Sequence, residues 1–129
     1  MAHPNEDRIR EGFGAFQQGD LEKIKGFMAD DIVWHVPGKS PLAGTYKGKE
    51  EVLGFFAKTM EMTGGTFTID LHDVLANEEH GTALITTRGE REGRSLTNNA
   101  VQVFHLRDGM VAESWVHPED MYAVDAFWS

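Results

Sequence analysis

Asp30-Asp31-Ile32-Val33-Trp34-His35-Val36-Pro37-Gly38, followed by Pro41-Leu42-Ala43-Gly44-Thr45-Tyr46-Lys47-Gly48, carries most of this chain's architectural information. Residues 32–36 are β-branched or aromatic and read as a strand. Pro37 has no N–H to give a ladder, so the strand is expected to stop there. A polar loop then leads to a helix over residues 48–62. Glu50 and Glu51 suit its positive end, and Val52, Phe55, Phe56 and Met60 form its apolar stripe. Gly64-Gly65 ends it.

Upstream, Ile9, Phe13 and Phe16 recur at spacings of four and three, which places them on one face of a helix starting near Asn5. Asn5 is expected to cap it and Gly19 to end it. Asp20 reads as the cap of a second, short helix carrying Leu21, Ile24, Phe27 and Met28. Downstream, residues 66–75, 82–90, 96–106 and 110–117 read as antiparallel strands joined by turns at 76–81, 91–94 and 107–109. Residues 119–128 form a short helical or irregular tail. Helices first and strands afterwards is the order of an α+β fold.

The chain has 129 residues, 40% hydrophobic and 26% charged, which is ordinary globular usage and suggests one domain over 1–129. No apolar run is long enough for a membrane span. The first seven residues are polar and acidic, unlike a secretory signal, so a cytoplasmic location is expected. With no cysteine, disulfides, thiolate metal sites and a cysteine nucleophile are excluded. The formal charge is −9, from 21 acids and 12 bases, which disfavours nucleic acid and anionic lipid as partners. Arg88, Arg91 and Arg94, interleaved with Glu90 and Glu92, read as a solvated hairpin tip. No HExxH or similar short spacing unites the histidines, so neither a metal nor another cofactor is expected.

Three short motifs accompany the opening stretch: Gly19-Asp20-Leu21, Ala29-Asp30-Asp31 before the first strand, and Asp108-Gly109 between the last two. Together with the order of elements, they make the whole chain resemble the nuclear transport factor 2-like superfamily, in its SnoaL-like and ketosteroid-isomerase-like branch. The resemblance implies a cone-shaped barrel, a strongly curved and mostly antiparallel sheet wrapped by three helices around one pocket. It also implies where catalytic groups would stand. Ketosteroid isomerases carry a carboxylate base just before the proline that ends the first strand, and this chain has Val36 there. Their oxyanion-binding tyrosine and protonated aspartate correspond to Gly12 and Gln102. SnoaL-like polyketide cyclases carry an aspartate after a run matched here by Gly109-Met110-Val111-Ala112-Glu113-Ser114-Trp115, where this chain has Val116. No set resembles the Asp–Arg–Asp constellation of limonene-type epoxide hydrolases.

The inward face depends on the last hairpin. A two-residue turn at Asp108-Gly109 puts Gln102 opposite Trp115. A three-residue loop puts it opposite Ser114, and this register is preferred because the resemblance points both residues inward. The cavity is then lined by Trp34, Val36, Ala100, Gln102, Phe104, Ser114 and Val116 from strands, and covered by Phe13, Phe16, Phe56 and Met60 from helices. Such an apolar pocket with one amide and one hydroxyl suits a small, mostly hydrophobic molecule. Gln102 can orient or polarise a ligand oxygen, or be an ordinary buried glutamine. His35, His105 and His117 share the opposite parity and face outward. A bulge at Pro37 would swing His35 in as a proton carrier. Trp115, Val101 and Val103 make the outer face apolar too, which suggests a homodimer through that face, with Phe127 and Trp128 adding to the exposed patch.

Three functions compete: a cofactor-independent isomerase, cyclase or hydrolase; a non-catalytic binding module; and a dimerising scaffold. An enzyme requires an ionisable side chain near Gln102. A binder needs only neutral polar groups there, and a scaffold fills the space with its own aromatics.

Overall fold

The computed structural model describes residues 3–129. Helix α1 (Pro4–Gln17) and the short α2 (Leu21–Lys25) precede strand β1 (Met28–Val36). Strand β2 (Gly44–Lys47) and helix α3 (Lys49–Met62) follow. Three hairpin-linked strands come next, β3 (Thr68–Ala76), β4 (His80–Arg91) and β5 (Arg94–Arg107), and β6 (Met110–Pro118) and α4 (Met121–Trp128) complete the chain. All six strands join one sheet in the order β2-β1-β6-β5-β4-β3, with only the β1–β6 pair parallel. The sheet curls around the core as expected, but β2 and β3 remain its two edges, so it is not a closed barrel.

Several local expectations need correction. His3, not Asn5, caps α1: its Nδ1 accepts from Asn5 N, and Glu6 reaches back to His3 N at 2.9 Å. Asn5 is buried inside the first turn. The second helix stops at Lys25, and Met28 already belongs to β1. The loop before Gly48 contains β2, which pairs Trp34 with Tyr46. Four residues with one aromatic are too short a run to announce a strand.

The last hairpin follows neither register as drawn. Asp108 and Gly109 have φ values of 54° and 77°, the pair of positive angles found in a two-residue type I′ turn. A bulge between His105 and Leu106 then adds one residue to β6, so that Gln102 faces Val116 and Phe104 faces Ser114. The bulge restores the parity a plain two-residue turn would have reversed. Gln102 and Ser114 therefore share the concave face.

The C-terminal helix departs most from expectation. Phe127 and Trp128 are buried against Leu42 and Leu96, not exposed. Arg91 and Arg94 are not a free hairpin tip. Both donate to backbone carbonyls at the end of α4: Arg91 Nη1 to Phe127 O at 2.8 Å, Arg94 Nη1 to Ala126 O at 3.1 Å. Cations there complement the negative end of the helix. At the start of the opening loop, Asp125 Oδ1 accepts from Lys39 N at 2.8 Å and Ser40 N at 3.2 Å. Thus α4 is tied both to the β4–β5 hairpin end and to the loop that follows β1.

Candidate functional site

The concave face encloses two chambers of about 100 and about 130 Å³. Phe16, Trp34, Phe56, Ile69 and Gln102 line both and form the partition between them. Phe16 meets Phe56 edge-on with centroids 5.5 Å apart, and Trp34 meets Phe56 likewise at 5.1 Å. Such contacts add roughly 0.5–1.5 kcal/mol per pair beyond area burial. The first chamber lies under α1 and reaches Phe13, Phe104, Leu106 and Val111. The second lies under α3 and α4 and reaches Val36, Asn98, Val116 and Trp128.

Alternation along β5 places Ala100, Gln102 and Phe104 on this face. Gln102 is 3% exposed, and its Nε2 donates to Ser114 Oγ at 3.0 Å. Ser114 is fully buried and lines neither chamber; it holds the amide in place from behind. Among the described residues no side chain donates to Gln102 Oε1, and Nε2 has a second hydrogen. The amide thus keeps one acceptor and one donor for whatever enters.

Phe13, Phe16, Trp34, Val36, Phe56, Phe104 and Val116 stand on the chamber walls. Met60 does not. The buried stripe of α3 is Val52, Phe56, Thr59 and Thr63, and at about 100° per residue Met60 lies some 40° past Phe56, off that stripe. His35 is also absent from the cavity. The irregularity in β1 falls between Met28 and Val33, not at Pro37, and leaves His35 on the outer face. There its Nε2 meets Glu113 Oε2 at 2.7 Å and its ring stacks on Trp115, 5.2 Å between centroids. Those partners hold it away from any proton in the chambers.

The positions inherited from the isomerase comparison do converge: Gly12 lines the first chamber, Val36 the second and Gln102 both. None can ionise. Among the lining residues the one charged side chain is Arg8, beside Asn5 and Gly109 at the first chamber. From the sequence Asn5 reads only as a helix cap and Arg8 is not singled out, although helical spacing held the signal for both as lining residues. Asn5 is one turn before Ile9, and Arg8 one turn before Gly12, so both extend the rows that carry the apolar face. Tyr46 lines neither chamber; it donates its hydroxyl to Leu42 O at 2.6 Å, and burial raises its pKa. Among the described residues no group of three or more His, Asp or Glu could hold a metal. No described helix is long and apolar enough to cross a membrane.

A family model for the SnoaL-like domain matches residues 9–114. Uncharacterized protein Rv0034 of Mycobacterium tuberculosis is 31% identical over 124 residues, 95% of each chain. Bal32a, from a soil-derived mobile gene cassette, is 32% identical with a TM-score of 0.94, over 97% of this chain and 96% of that one. A protein of unknown function with a cystatin-like fold from Xanthomonas campestris is 28% identical with a TM-score of 0.91, over 100% and 99%.

Proposed function

The chain belongs to the SnoaL-like domain family of nuclear transport factor 2-like folds, and from that membership we propose that it binds a small, mostly hydrophobic metabolite in the divided cavity. Gln102 orients one oxygen of that molecule. The observation that carries this reading is one buried amide that lines both mostly apolar chambers, where Asn5 and Arg8 line only the first and Asn98 only the second, and that is braced from behind by Ser114. Engineered apolar cavities of similar size hold benzene. Binding is preferred to isomerisation, cyclisation or hydrolysis because proton transfer needs an acid or base in reach. Among the lining residues no Asp, Glu, His or Lys offers one.

Calorimetry or NMR titration with acetophenone and with ethylbenzene, which keeps the phenyl and two-carbon skeleton but lacks the oxygen, tests the proposal. The protein is expected to favour acetophenone by about tenfold, one neutral hydrogen bond at roughly 1–1.5 kcal/mol. Gln102→Leu is expected to erase the preference while ethylbenzene still binds. A preference that survives the substitution removes Gln102 from the role. Binding of neither compound removes the cavity.

Self-association through the outer sheet face is a second proposal. Val101, Val103 and Trp115 lie half-buried there and Leu75 is 57% exposed. Phe127 and Trp128 do not contribute, being buried on the inner side of α4 against Leu42 and Leu96.

A further inference from the structure

Arg8 stands where an apolar chamber would not need a cation. Its side chain is exposed and lines the first chamber, and among the described residues no carboxylate lies within 4.0 Å of it. What marks Arg8 is its place on an otherwise uncharged chamber wall, since Lys23 and Lys58 also lack an acid among the described residues. It is also held in position. Arg8 Nη1 donates to Asn5 Oδ1 at 3.1 Å. Asn5, 3% exposed, is fixed in turn because its Nδ2 donates to Asn77 O at 3.0 Å and Glu78 O at 3.3 Å in the β3–β4 turn. On the opposite side the guanidinium lies against Gly109, where a Cβ would fall 1.8 Å from Nη1. The φ of 77° at Gly109 equally favours a residue without a Cβ.

We infer that the first chamber takes a small apolar carboxylic acid, with its hydrocarbon body under α1 and its carboxylate on Arg8 at the rim. This rests on the proposed ligand-binding role of the cavity and names the class of ligand. Asn5 uses one guanidinium nitrogen and leaves the remaining N–H donors for a carboxylate. The chain's overall field repels anions, so any preference for the acid must arise locally. A volume of about 100 Å³ limits the enclosed hydrocarbon body to roughly seven to ten non-hydrogen atoms, counting one water-sized group per 10–15 Å³, with the carboxylate outside it at the rim.

The probes are hydrocinnamate and hydrocinnamyl alcohol, which share a phenylpropyl body and differ in charge, titrated calorimetrically at neutral pH. The protein is expected to bind the acid about tenfold more tightly, with the difference shrinking as salt is added. Arg8→Gln should remove the preference, bringing the acid's affinity down to that of the alcohol. Gly109→Ala should reduce it with Arg8 still present, because the new methyl displaces the guanidinium. Equal affinity for acid and alcohol, or a preference that persists in Arg8→Gln, overturns the inference and leaves acetophenone binding as it was. If acetophenone also fails to bind, the cavity reading falls and this inference with it.

Discussion

The hydrogen bond between Gln102 and Ser114 can be tested by removing its two ends separately and together. Both side chains are buried, at 3% and 0% exposure, and the Nε2–Oγ distance is 3.0 Å. Gln102→Leu keeps the volume but strands the serine hydroxyl in a dry environment, at a cost of about 1–3 kcal/mol. Ser114→Ala strands one amide hydrogen. That amide also faces the chambers, where solvent can reach it, so the cost is nearer about 1 kcal/mol. The double variant leaves neither end unpaired and should be close to the parent in stability. A coupling energy of about 2–4 kcal/mol in magnitude is therefore expected. For a chain of this length that corresponds to a difference of about 7–15 °C in Tm between the observed double variant and the sum of the singles. Denaturant unfolding of the four proteins measures it. Additivity within about 0.5 kcal/mol would refute the bond and free the amide entirely for the chambers. The double variant has a second use: folded but lacking the amide, it should bind ethylbenzene and acetophenone equally.

Three further outcomes follow from the same geometry. Arg91→Met should loosen α4, since the Arg91 side chain is only 10% exposed and clamps Phe127 O and Ser129 O. A loss of about 1.5–3 kcal/mol, with faster hydrogen exchange confined to α4, is expected. Burial raises the pKa of Tyr46, so phenolate absorbance is expected to include a late component in an alkaline titration that is absent in Tyr46→Phe. Burial raises the folded pKa of Tyr46, so its contribution to stability is complete below the unfolded value near 10 and is lost as pH rises through the folded value. Finally, Trp115→Glu should turn a dimer into a monomer in sedimentation experiments; a parent protein that is already monomeric at micromolar concentration ends the self-association proposal.

Strand identity and facing were readable because alternation is local. Ala100, Gln102 and Phe104 share a face in any unbroken strand, and so do Trp34 and Val36. The helical rows of Ile9, Phe13 and Phe16 were readable for the same reason. Long-range features were not. Nothing near Phe127 and Trp128 announces that Leu42 and Leu96 will cover them, and nothing near Arg91 announces the carbonyls of α4 as its partners. The bulge opposite Leu106 was hidden because an extra residue in β6 changes register without changing composition.

Residue order alone thus determined the sequence of elements, their periodicities and which side chains could share a face, because those depend on neighbours a few positions apart. Tertiary structure decided that the concave space is two chambers, that Ser114 braces Gln102, that His35 is tied to Glu113 and Trp115 outside, and that Arg8 rests on Gly109 at a rim. Each of these joins residues distant in the chain, and such contacts exist only once the sheet has curled and its register is set.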